Sequence, residues 1–189
     1  MNLILASASP RRQELLKLFG VPFSVRVADI DETMDRNKAP FDEVARVSRL
    51  KALAVDRQDD DTVIAADTIV VCQGRVLGKP HSEAEAAEML RLLSGRDHQV
   101  MTGCTVLRGS LCETFTEVTD LHFRALGEAE IARYVESGEP MDKAGAYGIQ
   151  GGAALFCERM VGDYYNVMGL PVCRLGQVLR KILPEIMEE

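Results

Sequence analysis

The chain has 189 residues, of which 47% are hydrophobic and 27% charged, and a formal net charge of −7. This suits a globular protein with a sizeable core. The acidic balance excludes a broad footprint for nucleic acid or an anionic membrane, so any polyanion must be met by a local cationic cluster. The five cysteines are scattered, without zinc-site or redox-dithiol spacing. Most lie beside apolar residues, which points to buried, reduced thiols in a cytoplasmic protein. The N-terminal apolar run is too short for a signal peptide, and no apolar stretch is long enough to span a membrane.

Asn2 to Ala6 reads as a short buried strand. Ser9 suits a helix N-cap and Pro10 the first helical position, with Gly20 as the stop. Arg11 and Arg12 then fall in the first turn, where the helix dipole already carries positive charge. A bound anion would resolve the conflict, met by backbone N–H groups, the Ser7 and Ser9 hydroxyls and the two guanidinium groups. The alternative is a capped surface helix whose arginines reach into water. Phe23 to Val27 alternates as a half-buried strand. The acidic segment after it, Ala28 to Thr33, is either a solvated loop or a source of a metal-ligating carboxylate.

A helix is expected from about Pro40 to Asp56, with Val44, Val47, Ala54 and Val55 on one side and Lys51 among them. Lys51 either snorkels to water or points into a polar cavity and meets phosphate. Thr62 to Val71 is nearly continuous β-branched and apolar sequence, as in a strand covered on both faces. Asp67 interrupts it. A carboxylate there calls for a cation, a metal or a proton, unless it merely caps a turn at the strand end. Gln73-Gly74 marks a hairpin turn, and Gly78-Lys79-Pro80 presents a lysine on the loop that follows the returning strand.

Ser82 to Glu85 is a capping box opening a helix that runs to Leu93. His98 to Leu107 and Leu111 to Phe123 read as long strands, and Glu128 to Glu136 as a short helix. His81, His98 and His122 have no metal-like spacing. Asp142 to Gly152 is a glycine-dense loop in which Gln150 offers donors and an acceptor suited to a base edge. It is otherwise an irregular connection. Leu155 to Met160 and Tyr164 to Met168 are expected to form a hairpin around Gly162-Asp163. Pro171 begins the last helix, with Leu175, Val178, Leu179, Ile182 and Leu183 on its apolar side. One domain over residues 1–189, with strands and helices interleaved, is the simplest architecture.

The ordered set Ser7-Ala8-Ser9-Pro10-Arg11-Arg12, Asp31-Glu32, Lys51-Ala52, Ala66-Asp67-Thr68, Gly78-Lys79-Pro80, Leu93-Ser94-Gly95, Asp142 to Gly151 and Gly169-Leu170-Pro171 resembles the Maf family of nucleoside triphosphate pyrophosphatases. The resemblance implies an α/β fold similar to the inosine triphosphate pyrophosphatases: a long mixed twisted sheet flanked by helices, with two lobes around a central cleft. It implies a cytoplasmic, metal-dependent enzyme, commonly a homodimer, acting on a nucleoside triphosphate without membrane or stable nucleic-acid partners. Arg12, Thr68 and Gln150 match the dTTP/UTP pyrophosphatase subgroup, and Asp67 matches the position assigned as proton acceptor. On this reading Ser7, Ser9, Arg11, Arg12, Lys51 and Lys79 hold the triphosphate. A divalent cation, Mg²⁺ or Mn²⁺, bridges Glu32 and the phosphates. Water attacks the α-phosphorus, and Asp67 either takes its proton or ligates the metal, with Lys51 and Lys79 as the other catalytic residues. The competing expectation is a non-catalytic nucleotide- or nucleic-acid-binding regulator of cell division.

Overall fold

The computed structural model describes residues 2–184. In chain order the elements are β1 (Leu3–Leu5), α1 (Pro10–Lys17), β2 (Phe23–Val25), α2 (Pro40–Ala54), β3 (Thr62–Cys72), β4 (Arg75–Leu77), α3 (Glu83–Leu93), β5 (Asp97–Arg108), β6 (Leu111–Phe123), α4 (Glu128–Glu136), β7 (Cys157–Val161), α5 (Tyr164–Met168) and α6 (Val172–Ile182). The strands form one mixed sheet in the order β2-β1-β3-β5-β6-β7, with β4 paired to β3. β1 runs parallel to both β2 and β3. β4 and β7 run antiparallel to β3 and β6. The α/β class and the mixed sheet agree with the sequence reading. By backbone contacts the chain gathers into two compact units. One holds the residues up to Asp67, Thr102–Glu117 and the chain from Gly169 onward; the other holds Thr68–Met101 and Val118–Met168. Among the described residues no helix is long and apolar enough to cross a membrane.

In the first unit, β1 is apolar and buried throughout, as a parallel strand covered on both faces must be. Its register against β3, Leu3 opposite Thr62, is anchored just before the strands begin. There the fully buried Asp61 carboxylate accepts from the Asn2 backbone N–H at 3.0 Å, from Asn2 Nδ2 at 2.8 Å and from the Gln58 N–H at 3.1 Å. These bonds, that from Gln58 first, hold the Asp61 carboxyl below its ordinary pKa.

α2 closes one face of the sheet. Ala52 and Val55 pack with Ile4, Ala6, Val63, Ala65 and Leu107 in one buried cluster. Ala54, expected on this stripe, is exposed; the helix ends there, and Ala52 takes its place. The approach is close at Gly103 on β5, where a Cβ would come 2.3 Å from the Val44 carbonyl oxygen and 2.7 Å from the Ala45 nitrogen. α2 also buries a carboxylate. Glu43 accepts hydrogen bonds from Arg46 and from the Asp35 backbone N–H, and these pull its pKa down to about 2, the Arg46 bond contributing most.

The second unit departs from expectation at one element. β7 pairs with β6, but Tyr164 to Met168 forms helix α5 rather than the second arm of a hairpin. Asp163 sets that helix: its Oδ1 accepts the Tyr165 N–H at 2.8 Å, while its backbone carbonyl and N–H are both engaged by Thr119 Oγ1. Gly162, with φ 131°, passes so close to Thr119 that a Cβ would meet its Oγ1 at 2.9 Å. The hairpin at Gln73-Gly74 has both φ angles positive, as a tight two-residue β-turn needs. The capping box on α3 is present, Ser82 Oγ accepting the Glu85 N–H at 3.1 Å. The cysteines are all free, but only Cys72 and Cys104 are buried; Cys157 is half-buried and Cys112 and Cys173 are exposed, contrary to the expectation for most of them.

Two outcomes follow from this packing. Gly103→Ala forces β5 away from the α2 backbone and should cost about 2 kcal/mol or more, read as a lower urea midpoint with unchanged slope. For Glu43, the folded pKa of about 2 lies below its ordinary 4.5, so its contribution to stability is full above that value and is lost as pH falls from 4.5 towards 2. Glu43→Gln should flatten that part of the stability–pH curve, measured by denaturation between pH 6 and pH 2.5.

Candidate active site

The alternation of a β-strand builds the site. Val63 and Ala65 face α2, so Asp67, two residues further on, projects from the same face of β3. On α2 the residue preceding buried Ala52 is Lys51. Its ammonium reaches the strand and donates to Asp67 Oδ1 at 2.8 Å. It also donates to Glu32 Oε2 at 2.8 Å, from the irregular segment between β2 and α2. Lys51 and Asp67 are mostly shielded, with side chains 14% and 13% exposed, whereas Glu32 is 56% exposed. Lys51 therefore neither snorkels into water nor stands idle: it is the cation between two carboxylates. Asp67 lies in mid-strand and caps no turn.

The Ser7–Arg12 segment arrives at the same place from β1. Ser9 leads into α1 with extended backbone, and Pro10 opens the helix as expected, but the Ser9 side chain makes no capping bond. Its backbone N–H instead donates to Ser7 Oγ at 3.3 Å, and Ser7 is buried. Arg12 turns inward. Its Nε donates to the Gly169 carbonyl at 2.8 Å, and its Nη1 to the Ala66 carbonyl at 2.8 Å and to Ser7 Oγ at 3.2 Å. Burial lowers the Arg12 pKa below its ordinary value; Asp67 and Glu32 oppose that shift and Arg11 adds to it. The conflict between Arg12 and the helix dipole is thus met by carbonyl groups of the protein, without requiring an anion. Gly169 enters through its backbone alone, at φ 112°, a conformation that glycine adopts readily. No side-chain pattern announces such an acceptor.

Ser7, Arg12, Glu32, Lys51 and Asp67 are thus brought together in the first unit, with Ser9 and Arg11 in the same turn of chain. Thr68, Lys79 and Gln150 belong to the second unit. Thr68 follows Asp67 on β3 and projects from the opposite face. Lys79 is exposed on its loop, and the neighbouring Gly78 carbonyl accepts the Gly145 N–H at 3.0 Å, which ties that loop to the glycine-dense one. Gln150 is exposed near the end of the glycine-dense loop. Glu139, not singled out by the sequence reading, braces this loop. Its carboxylate accepts from Tyr134 Oη at 2.9 Å and from the Gly152 N–H at 3.0 Å. A Cβ on Gly151 would fall 2.0 Å from Glu139 Oε1, so a larger residue there would push the Glu139 carboxylate aside.

What the first unit presents is an ammonium between two carboxylates, the Lys51–Asp67 side mostly shielded and the Glu32 side open, on a mixed α/β sheet. A HAM1 protein from Coxiella burnetii superposes with a TM-score of 0.51 over 96% of this chain and 99% of that one, at 18% identity, a likeness of fold. The Maf-like protein family profile matches residues 2–182. A dTTP/UTP pyrophosphatase of Bacillus cereus is 49% identical over 181 residues, 95% of each chain, and one of Bacillus mycoides 48% identical over the same share. The chain belongs to the Maf family.

Arg12→Ala would leave the Ala66 and Gly169 carbonyls short of a donor. It should cost about 1–3 kcal/mol of stability by urea denaturation, with Arg12→Lys recovering only part because an ammonium lacks the guanidinium fork.

Proposed function

We propose that this chain hydrolyses dTTP and UTP to the nucleoside monophosphate and pyrophosphate, clearing those nucleotides and related modified pyrimidine nucleotides from the pool. The observation that carries the reading is the Lys51 ammonium held 2.8 Å from both Glu32 and Asp67. The relatives named dTTP/UTP pyrophosphatase, which span 95% of the chain, supply the reaction class.

The donor set also fits a divalent cation. Glu32 and Asp67 flank Lys51, and each is a hard oxygen ligand with a second carboxylate oxygen, besides the one that meets Lys51, through which it would hold the ion. Among the described residues no group of three or more His, Cys, Asp or Glu side chains gathers to hold a metal. Two carboxylates completed by substrate phosphates and water is a common arrangement for Mg²⁺, and Mn²⁺ accepts the same donors. When bound, such an ion would neutralise phosphate charge. The remaining work falls to the chain's own groups. Asp67 accepts the proton of the attacking water while Lys51 keeps its carboxylate aligned. The water oxygen bonds to the α-phosphorus, and the α–β bridging oxygen leaves with pyrophosphate. Arg11, in the stretch of chain that follows Ser7 and Ser9, offsets the negative charge of the triphosphate, and so does Lys79. Arg12 holds the Ser7 hydroxyl and the peptide preceding Asp67. Thr68 and Gln150 read the base, Gln150 through the edge that uracil and thymine share.

Asp67→Asn keeps the size and shape of the side chain and removes the base. Pyrophosphate release from dTTP and UTP should fall by about 10²–10⁴-fold with the circular dichroism spectrum unchanged. Near-normal release by that variant, or nucleotide binding without turnover by the unaltered protein, would overturn the assignment. The same assay run over a nucleotide panel, including modified pyrimidines, tests the base preference.

A further inference from the structure

Glu32 is the least shielded member of the array, and it lies in a part of the chain with no regular structure. Between Val25 and Pro40 there is neither helix nor strand. A carboxylate on such a segment would ordinarily wander, and Lys51 alone would have to hold it against solvent. The segment is nevertheless built. Asp31 Oδ1 accepts the Thr33 N–H at 2.9 Å, which closes a turn whose middle residue is Glu32. Asp35 Oδ1 accepts the Asn37 N–H at 2.9 Å in a second turn of the same kind. Both turns are then fastened to α2. Arg46 Nη2 donates to the Thr33 carbonyl at 2.8 Å, one residue beyond Glu32. The Asp35 N–H donates to Glu43 Oε2 at 2.8 Å.

Glu43 and Arg46 are themselves locked together. Arg46 donates through Nε to Glu43 Oε1 at 2.9 Å and through Nη2 to Oε2 at 2.8 Å, a forked pair one turn apart on the helix. The Glu43 side chain is 2% exposed, so its orientation is fixed by packing. Lys51 lies five residues beyond Arg46 on the same helix, a rise of about 7.5 Å. One rigid element therefore carries both the cation of the array and the fastening for the loop that brings Glu32 to it.

We propose that the Glu43–Arg46 pair is a positioning device for Glu32: it clamps the 31–35 turn to α2 so that the Glu32 carboxylate meets Lys51. The proposal rests on the function assigned above to Glu32, and neither residue of the pair touches the substrate. A purely structural role would require only that the buried Glu43 charge be paired. The bonds from Arg46 to the Thr33 carbonyl and from Asp35 to Glu43 go beyond that need, and both end on the Glu32 loop.

The test is a double-mutant cycle in the full-length protein. Arg46 is the residue to change, because its side chain is 36% exposed and its loss leaves no cavity in the core. Arg46→Ala should lower kcat/KM for pyrophosphate release from dTTP by about 10-fold, the range seen when a supporting partner of a functional carboxylate is removed. In a Glu32→Gln background the same change should cost less than about 2-fold, because the group it positions is already disabled. Equal losses in both backgrounds would overturn the proposal. Amide hydrogen exchange gives an independent reading. In Arg46→Ala the amides of residues 31–35 should exchange faster while those of β1 and β3 stay protected; unchanged exchange at 31–35 would likewise overturn it. If the unaltered protein releases no pyrophosphate from any nucleotide, the assigned function fails, and the exchange measurement still decides whether the clamp exists.

Discussion

The arrangement of the first unit turns on a single ammonium group. Lys51 compensates two carboxylates from different parts of the chain, and it can do so only where α2 lies against β3. Removing ions from water costs free energy that a hydrogen-bonded opposite charge must offset, and a lone buried carboxylate would be strongly destabilising. Here Lys51 and Asp67 are mostly shielded while Glu32 opens to solvent. The Arg12 guanidinium adds a second positive charge that both carboxylates feel. An inert core pair would be neutral and closed. This one is open at Glu32.

What places Lys51 opposite Asp67 is apolar packing. Ala52 and Val55 seat α2 on Ile4, Ala6, Val63 and Ala65, and the small alanines allow a close approach. Gly103 permits the same closeness on β5, since any side chain would strike the α2 backbone. The strand register matters equally. A slip of one residue between β1 and β3 would turn Asp67 to the other face, and the buried Asp61 bonds to Asn2 and Gln58 resist that slip at the start of both strands. The polar site is therefore fixed by an apolar contact and by a second buried carboxylate remote from it along β3.

These dependencies explain which parts were legible in the sequence. Asp67 could be singled out because it breaks an apolar run, and Lys51 because it interrupts a helical stripe; both are local contrasts. Strand and helix periods were readable for the same reason. Tyr164 to Met168 was not, because five residues of mixed aromatic and apolar character do not distinguish a strand from one turn of helix. The deciding contacts come from Thr119, remote in sequence, and from the Asp163 side chain. Cys112 and Cys173 have apolar neighbours in sequence yet lie at the surface, since one adjacent residue says little about which face an element buries. Arg12 was legible as unusual but not as a strut, because its acceptors are backbone carbonyls 54 and 157 residues away.

Arg12 also changes how an acidic chain can grip a polyanion. Two arginines in the first turn of α1, with no acid there to balance them, suggest that both meet phosphate. The structure separates them. Arg12 donates through Nε and Nη1 to Ser7, Ala66 and Gly169, so it orders the residues around it. It joins the turn after β1, the peptide ahead of Asp67 and the chain entering α6, which are the pieces that must keep their spacing if the Ser7–Ser9 turn is to face Asp67. A guanidinium suits this task because its planar fork can serve three acceptors at once, where an ammonium, though also a triple donor, has no fixed geometry. The part of Arg12 most exposed to change is therefore geometric: loss of its fork would loosen the Ser7 turn from Asp67 even with every other charge of the site in place.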